Sequence, residues 1–154
     1  MIRNLIAILI VLGAAGCGAI NPGKFLGIQH TDSDEQYYLI KRVCLTAGST
    51  AHPRTFFDHT MQDAVHLVFV PATEPNHYVT KTIWYDPDGH EFRTIRQTHD
   101  KQAETARGFE RPKGGTTQIH MMPLAELYKH KPGLWKVELY IDNKLARRLS
   151  FTVR

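Results

Sequence analysis

The stretch LWKVELYI, residues 134–141, decides the fold class of this 154-residue chain. Large apolar side chains occupy every second position, and the charged residues Lys136 and Glu138 share the positions between them. The apolar set is Trp135, Val137, Leu139 and Ile141. Alternation with a period of two predicts a β-strand that turns one face to a core and the other to water.

Six further stretches have the same strand-like character. They are rich in β-branched and aromatic residues, and turn-forming residues separate them. They cover residues 37–46, 64–70, 79–85, 90–98, 116–122 and 145–153. Seven short strands with turn signals between them predict an all-β fold, an immunoglobulin-like antiparallel β-sandwich.

The connections fit this architecture. The sequence Asp-Pro-Asp-Gly at residues 86–89 is typical of a type I turn and should join the third and fourth strands as a hairpin. Asp142-Asn143 should form the tight turn between the last two strands. Residues 123–129 begin with proline and predict one or two helical turns between strands. Phe56 and Phe57 are expected to close one end of the sandwich.

The N-terminus has the layout of a secretory signal peptide. Arg3 gives a positive start, an unbroken apolar run follows at residues 5–12, and small residues occupy positions 13–16. The apolar stretch is shorter than the about 20 residues that a membrane-spanning helix needs. We therefore expect residues 1–16 to be a signal peptide rather than a transmembrane anchor.

The residues Ala14-Ala15-Gly16-Cys17 resemble the lipobox of bacterial lipoproteins. The resemblance implies cleavage before Cys17 and acylation of its thiol, so that the membrane is one partner of the chain. Residues 17–36 would then form the lipidated N-terminus and a flexible tether, and residues 37–154 the folded domain. With Cys17 acylated, Cys44 should have no disulfide partner. Gly18 stands where lipoproteins retained in the inner membrane have Asp, which implies the periplasmic side of the outer membrane.

Three motifs resemble bacterial immunoglobulin-like envelope domains. They are Trp-Tyr-Asp-Pro-Asp-Gly at residues 84–89, Pro-Gly-Leu-Trp-Lys-Val-Glu at 132–138, and Phe-Thr-Val at 151–153. The resemblance covers roughly residues 56–153. It implies a fold and carries no functional residue with it.

Nine histidines raise the question of a metal site. The sequence His120-Met121-Met122 combines imidazole with thioether sulfur, a ligand set that suits Cu(I). Strand alternation, however, places His120 and Met122 on one face and Met121 on the other. Two ligands are too few for a tight site, so His120 and Met122 are weak candidates. We predict no metal and no other cofactor.

The sequence gives little support for catalysis or nucleic-acid binding. It contains no Gly-x-Ser-x-Gly elbow, phosphate-binding loop or dinucleotide fingerprint. The net charge of +4 is mild and spread along the chain, which is unlike a nucleic-acid-binding surface. We therefore expect a protein that is not an enzyme and does not bind nucleic acid.

The remaining class is binding or assembly. Phe109, Arg111 and Lys113 lie in a long polar connection and are the candidate partner contacts. The expected function is that of a lipid-anchored envelope protein that binds another envelope protein or polymer. The alternative is a periplasm-facing lipoprotein that binds copper or zinc.

Overall fold

The computed structural model describes residues 34–48, 52–101 and 116–154. The expected signal peptide and the lipidation site Cys17 lie outside the described residues. The candidate contacts Phe109, Arg111 and Lys113 also lie outside them. No helix in the described part of the chain is long and apolar enough to cross a membrane.

Within these ranges, eight strands form two sheets that pack face to face around one core. A helix, α1 (Leu124–His130), joins the sixth and seventh strands. The strands are β1 (Ile40–Thr46), β2 (Phe56–Phe57), β3 (Ala64–Pro71), β4 (His77–Tyr85), β5 (Glu91–Asp100), β6 (Gln118–Pro123), β7 (Gly133–Ile141) and β8 (Lys144–Val153).

The strand order confirms the immunoglobulin-like sandwich. One sheet has the order β1-β3-β6, and the other has the order β2-β8-β7-β4-β5. All neighbouring strands run antiparallel except β2 and β8, which are parallel. In immunoglobulin folds, strands A, B and E share one sheet in the same way, while strands C, F and G share the other.

The alternation of β4 and β7 supplies the centre of the core. Trp84 lies opposite Val137, and Trp135 lies opposite Phe151. Both tryptophans are 0% exposed. Phe151 meets the ring of Trp84 edge to face at 5.9 Å, and Phe57 meets Phe151 in the same way at 5.7 Å. The aromatic rings of three strands therefore interlock, which confirms the expectation for Phe57. For Phe56 the expectation is wrong, because its side chain is 42% exposed.

Local sequence determines the turns and the helix as predicted. Gly89 has φ +87° and donates its N–H to the Asp86 carbonyl at 2.9 Å. Asp142 and Asn143 both have positive φ, which the tight β7–β8 hairpin requires. Pro123 directly precedes α1. These predictions are confirmed.

Two elements differ from the sequence prediction. The first strand begins at Ile40, because Tyr37–Leu39 form a 3-10 turn closed by the Leu39 N–H and the Gln36 carbonyl. The sequence does not predict β2, because two residues carry no periodicity. It exists because its backbone pairs with Thr152 and Val153 at the other end of the chain.

The last residues of the expected tether contact the sandwich. The Gln36 N–H donates to the Leu145 carbonyl at 2.8 Å. The Arg148 guanidinium donates to the Asp34 carboxylate at 3.0 Å. The packed domain therefore includes residues from Asp34 onward, three positions before the boundary that the sequence suggested.

Removing the Trp135 side chain should destabilise the domain by about 3–5 kcal/mol, because it leaves a large cavity between the sheets. The neighbouring Leu134 is 53% exposed on the opposite face of β7. Leu134→Ala is the matched control and should change the free energy of unfolding by less than about 0.5 kcal/mol. Chemical denaturation measures both variants, and equal effects would contradict the register described here.

Candidate functional site

The histidine singled out by sequence lies inside the sandwich. On β6, Gln118, His120 and Met122 face inward, while Ile119 and Met121 face outward. His120 is 2% exposed and Met122 is 0% exposed. The prediction that His120 and Met122 share one strand face, opposite Met121, is confirmed.

Threonines of the opposite sheet surround the His120 ring. Its Nδ1 lies 3.0 Å from Thr82 Oγ1, and its Nε2 lies 3.3 Å from Thr80 Oγ1. The Trp84 indole N–H donates to Thr82 Oγ1 at 3.1 Å, and Thr80 Oγ1 lies 3.1 Å from His99 Nε2. We call this buried row of five side chains the polar seam.

Donor chemistry fixes one bond of the polar seam. An indole nitrogen can only donate, so the Thr82 hydroxyl accepts from the Trp84 N–H. The remaining contacts join threonine hydroxyls to imidazole nitrogens, and the Thr80 hydroxyl also lies 3.5 Å from the Gln97 carbonyl oxygen. A neutral imidazole has one donor and one acceptor nitrogen, so both ring nitrogens of His120 can be hydrogen-bonded within the seam.

Burial keeps His120 neutral. Desolvation is the largest cause, and the nearby His99 adds to it; together they lower the pKa of the His120 imidazole from 6.5 to about 4. The ring of Phe69 also meets His120 edge to face at 5.4 Å. An ion at His120 would have to displace a threonine hydroxyl inside the core. The geometry thus assigns His120 a structural role that joins the two sheets.

Charged side chains on the outer face of the five-stranded sheet already form hydrogen bonds with one another and with tyrosines. The hydroxyls of Tyr85 and Tyr140 donate to one oxygen of Glu138 at 3.0 and 2.7 Å. The Arg148 guanidinium donates to the other oxygen at 2.8 Å and also binds Asp34. This cluster holds the beginning of the domain against β7 and β8.

The sheet edges differ in their protection against pairing with another strand. Among the described residues, β2 is only two residues long, and β1 exposes Lys41 and Arg42. The third edge, β5, exposes mainly polar and charged side chains. Short strands and charges are the usual protection of an edge. β6 instead exposes Ile119 and Met121, at 39% and 53%.

A histidine beside this edge has a buried nitrogen without a partner. His66 of β3 lies directly opposite Met121. Its Nδ1 is buried and makes no hydrogen bond within the described part of the chain. Buried polar atoms are nearly always satisfied, so an exception needs an explanation. We call Ile119, Met121 and His66 the β6 patch.

Cys44 departs from its expected state. It is half-buried on β1, and its sulfur is in a disulfide. The expectation that Cys44 has no disulfide partner is therefore wrong. The chain has one other cysteine, Cys17, which lies outside the described residues.

The β4–β5 turn brings together a group of side chains that the sequence predicts only as turn formers. Asp86 Oδ1 accepts the N–H groups of Asp88 and His90, both at 2.9 Å. Asp86 Oδ2 lies 3.1 Å from Nε2 of His130, at the end of α1. The hydrogen bond with His130 is the main reason why the pKa of Asp86 falls to about 2. Only the fold could reveal this pairing, because the two residues are far apart in sequence.

The low pKa of His120 predicts a specific loss of stability in acid. Below pH 6.5 the unfolded chain binds a proton at this imidazole that the folded chain does not bind. Stability should therefore fall as pH falls from about 6.5 to about 4, and this contribution should level off below pH 4. At about 1.4 kcal/mol per pKa unit, the total loss is roughly 3 kcal/mol.

Urea unfolding at several pH values tests this prediction. In His120→Gln, the part of the pH dependence that His120 contributes should disappear. His77→Gln, at the exposed start of β4, is the matched control and should retain it. An unchanged pH profile in His120→Gln would contradict the description of the polar seam.

Comparisons with known proteins found structural similarity only. No protein-family model matches the chain, and no curated protein sequence matches it significantly. An immunoglobulin-like protein from Pseudomonas aeruginosa is similar with a TM-score of 0.44 and 14% identity, over 73% of this chain and 89% of that one. An alkylpurine DNA glycosylase from Pseudomonas fluorescens, bound to DNA with an abasic-site analogue, is similar with a TM-score of 0.39 and 12% identity. That match covers 73% of this chain and 29% of the glycosylase.

Proposed function

We propose that this chain is a lipid-anchored, non-catalytic protein of the cell envelope that binds another envelope component through the β6 patch. The observation that carries the proposal is the contrast between β6 and the other described edges. Three edges are short, polar or charged, whereas β6 exposes Ile119 and Met121. An apolar strand edge is a site at which another chain can add a strand.

The chemistry of the β6 patch favours an extended segment of a protein as the partner. Such a segment would pair its backbone with the side of β6 that no other described strand occupies, and would cover Ile119 and Met121 with apolar side chains.

The contacts of the conspicuous polar side chains support a non-catalytic role. His120 and His99 are buried and engaged with Thr80 and Thr82. Glu138 is shared by two tyrosines and Arg148. These groups stabilise the fold, and a catalytic acid or base would need access to a substrate.

The proposed anchor rests on the lipobox resemblance at residues 14–17. Two or more acyl chains hold a protein firmly on a membrane, whereas one chain does so only marginally. Gly18 favours the periplasmic face of the outer membrane. A sulfur atom cannot be in a thioether to lipid and in a disulfide at the same time. Acylation of Cys17 would therefore require another state of Cys44 than the disulfide described above.

Cys17→Ser should move the protein from the membrane fraction to the soluble fraction, because the substitution removes the acylated thiol. Cys44→Ser is the matched control and should remain in the membrane fraction. Fractionation with a carbonate wash measures both variants, and intact mass spectrometry identifies the modification. Retention of Cys17→Ser in washed membranes would contradict the anchor. A mass that shows a disulfide between the two cysteines and no acyl chains would contradict it equally.

A photo-crosslinking amino acid at position 119 should form one discrete adduct in the native envelope, because Ile119 lies on the proposed docking edge. The same amino acid at position 94, on the polar β5 edge, is the matched control and should form none. Met121→Lys should abolish the adduct at position 119 without changing the melting temperature by more than a few degrees. Equal crosslinking at both edges, or none at position 119, would contradict the proposed docking edge.

A further inference from the structure

We propose that Asp86, His90 and His130, with Asp88 as a fourth donor, form a binding site for a divalent transition-metal ion of the zinc type. The site would lie where the β4–β5 turn meets the end of α1. It does not depend on the lipid anchor or on the β6 patch. It also differs from the His120 and Met122 pair that the sequence suggested.

Two separations between donor atoms, both from the Asp86 carboxylate, fit a tetrahedral ion. Asp86 Oδ2 lies 3.1 Å from His130 Nε2 and 3.7 Å from His90 Nδ1. Zinc bonds of about 2.0–2.2 Å place neighbouring ligands about 3.3–3.5 Å apart in a tetrahedron. The two distances lie on either side of this value. Donor atoms of Asp86, Asp88 and His90 lie within 4.8 Å of one another, and His130 is not in this group. His90 must therefore turn towards His130 before both imidazoles can bind one ion.

The fold orients the central carboxylate for this role. Backbone N–H groups of Asp88 and His90 occupy Asp86 Oδ1, so Oδ2 is the oxygen that faces the imidazoles. The Asp86 side chain is 7% exposed. A ligating group that the backbone fixes from behind is a general feature of metal sites, since outer contacts hold the ligand in its geometry.

The two imidazoles approach from different elements and differ in mobility. The His130 ring packs against the rings of Phe92 at 4.8 Å and Trp135 at 5.9 Å, and these contacts hold the imidazole in place. The side chain of His90 is 80% exposed and can adjust its position. One rigid and one adjustable imidazole would allow a small movement to complete the coordination.

One contact opposes the ion. The Lys131 ammonium pairs with the carboxylate of Asp88. Both side chains are about half exposed, at 45% and 50%, so the pair is weak and Lys131 can turn away into water. The donor set selects the metal class: imidazole nitrogen with carboxylate oxygen suits Zn²⁺, whereas Ca²⁺ and Mg²⁺ take oxygen ligands and Cu(I) prefers sulfur.

Titration of the full-length protein with Zn(II), in competition with a chromogenic chelator, tests the proposal. The expected result is one zinc ion per chain, with affinity reduced at least about tenfold in His90→Gln and in His130→Gln. His77→Gln, another exposed histidine, is the matched control and should bind like the wild type. Zinc should also raise the melting temperature of the wild type and not that of the double variant His90→Gln/His130→Gln.

Three outcomes would overturn the site. The first is the absence of one-to-one binding in the wild-type protein. The second is binding of unchanged affinity in the double variant, whose fold can be verified by circular dichroism. The third is binding that disappears in Cys44→Ser or His120→Gln and is retained in the double variant, because the ion would then have other ligands.

Discussion

The imidazole of His120 joins the two sheets by hydrogen bonds, and much of the structure depends on its neutral state. It extends from β6 of one sheet to Thr80 and Thr82 of the other. Aromatic packing alone is tolerant of small sliding movements between the sheets. Hydrogen bonds depend on direction and do not tolerate such sliding, so the polar seam defines one relative position of the sheets. Charging the ring would place an uncompensated cation inside the core.

This constraint determines which side chains of β6 are available to the proposed partner. The inward-facing side chains of β6, among them His120 and Met122, are packed in the core. The strand can therefore contact a partner only through its outward side chains and its backbone. The outward side chains are Ile119 and Met121. Because the seam fixes β6 against the opposite sheet, the exposed edge is presented in one conformation, and a partner that binds it has less conformational entropy to remove.

Local patterns in the sequence predict most of the fold. Alternation along residues 134–141 identifies β7, proline before α1 identifies the helix, and Asp-Pro-Asp-Gly identifies the β4–β5 hairpin. These signals are local, because the side-chain direction of a strand and the geometry of a turn depend on neighbouring residues. β2 has no local signal, because it is defined by pairing with residues at the opposite end of the chain.

The sites were less predictable for the same reason. Alternation alone placed His120 and Met122 on one face of β6, which is correct. It could not reveal that Thr80 and Thr82 meet His120 across the core, since that contact depends on how the sheets stack. The approach of His130 to Asp86 likewise depends on where α1 ends. The candidate contacts Phe109, Arg111 and Lys113 remain predictions.

Oxidation of the methionines, followed by mass spectrometry, tests the central claim most directly, which is that the β6 edge is covered by a partner in the envelope. Met121 is 53% exposed and reports on the edge, Met61 is 75% exposed, and Met122 is 0% exposed. The account predicts that Met121 oxidises readily in the purified protein and slowly in the native envelope. Met61 should oxidise in both preparations and Met122 in neither. Equal oxidation of Met121 in both preparations, with Met61 and Met122 behaving as described, would contradict the account.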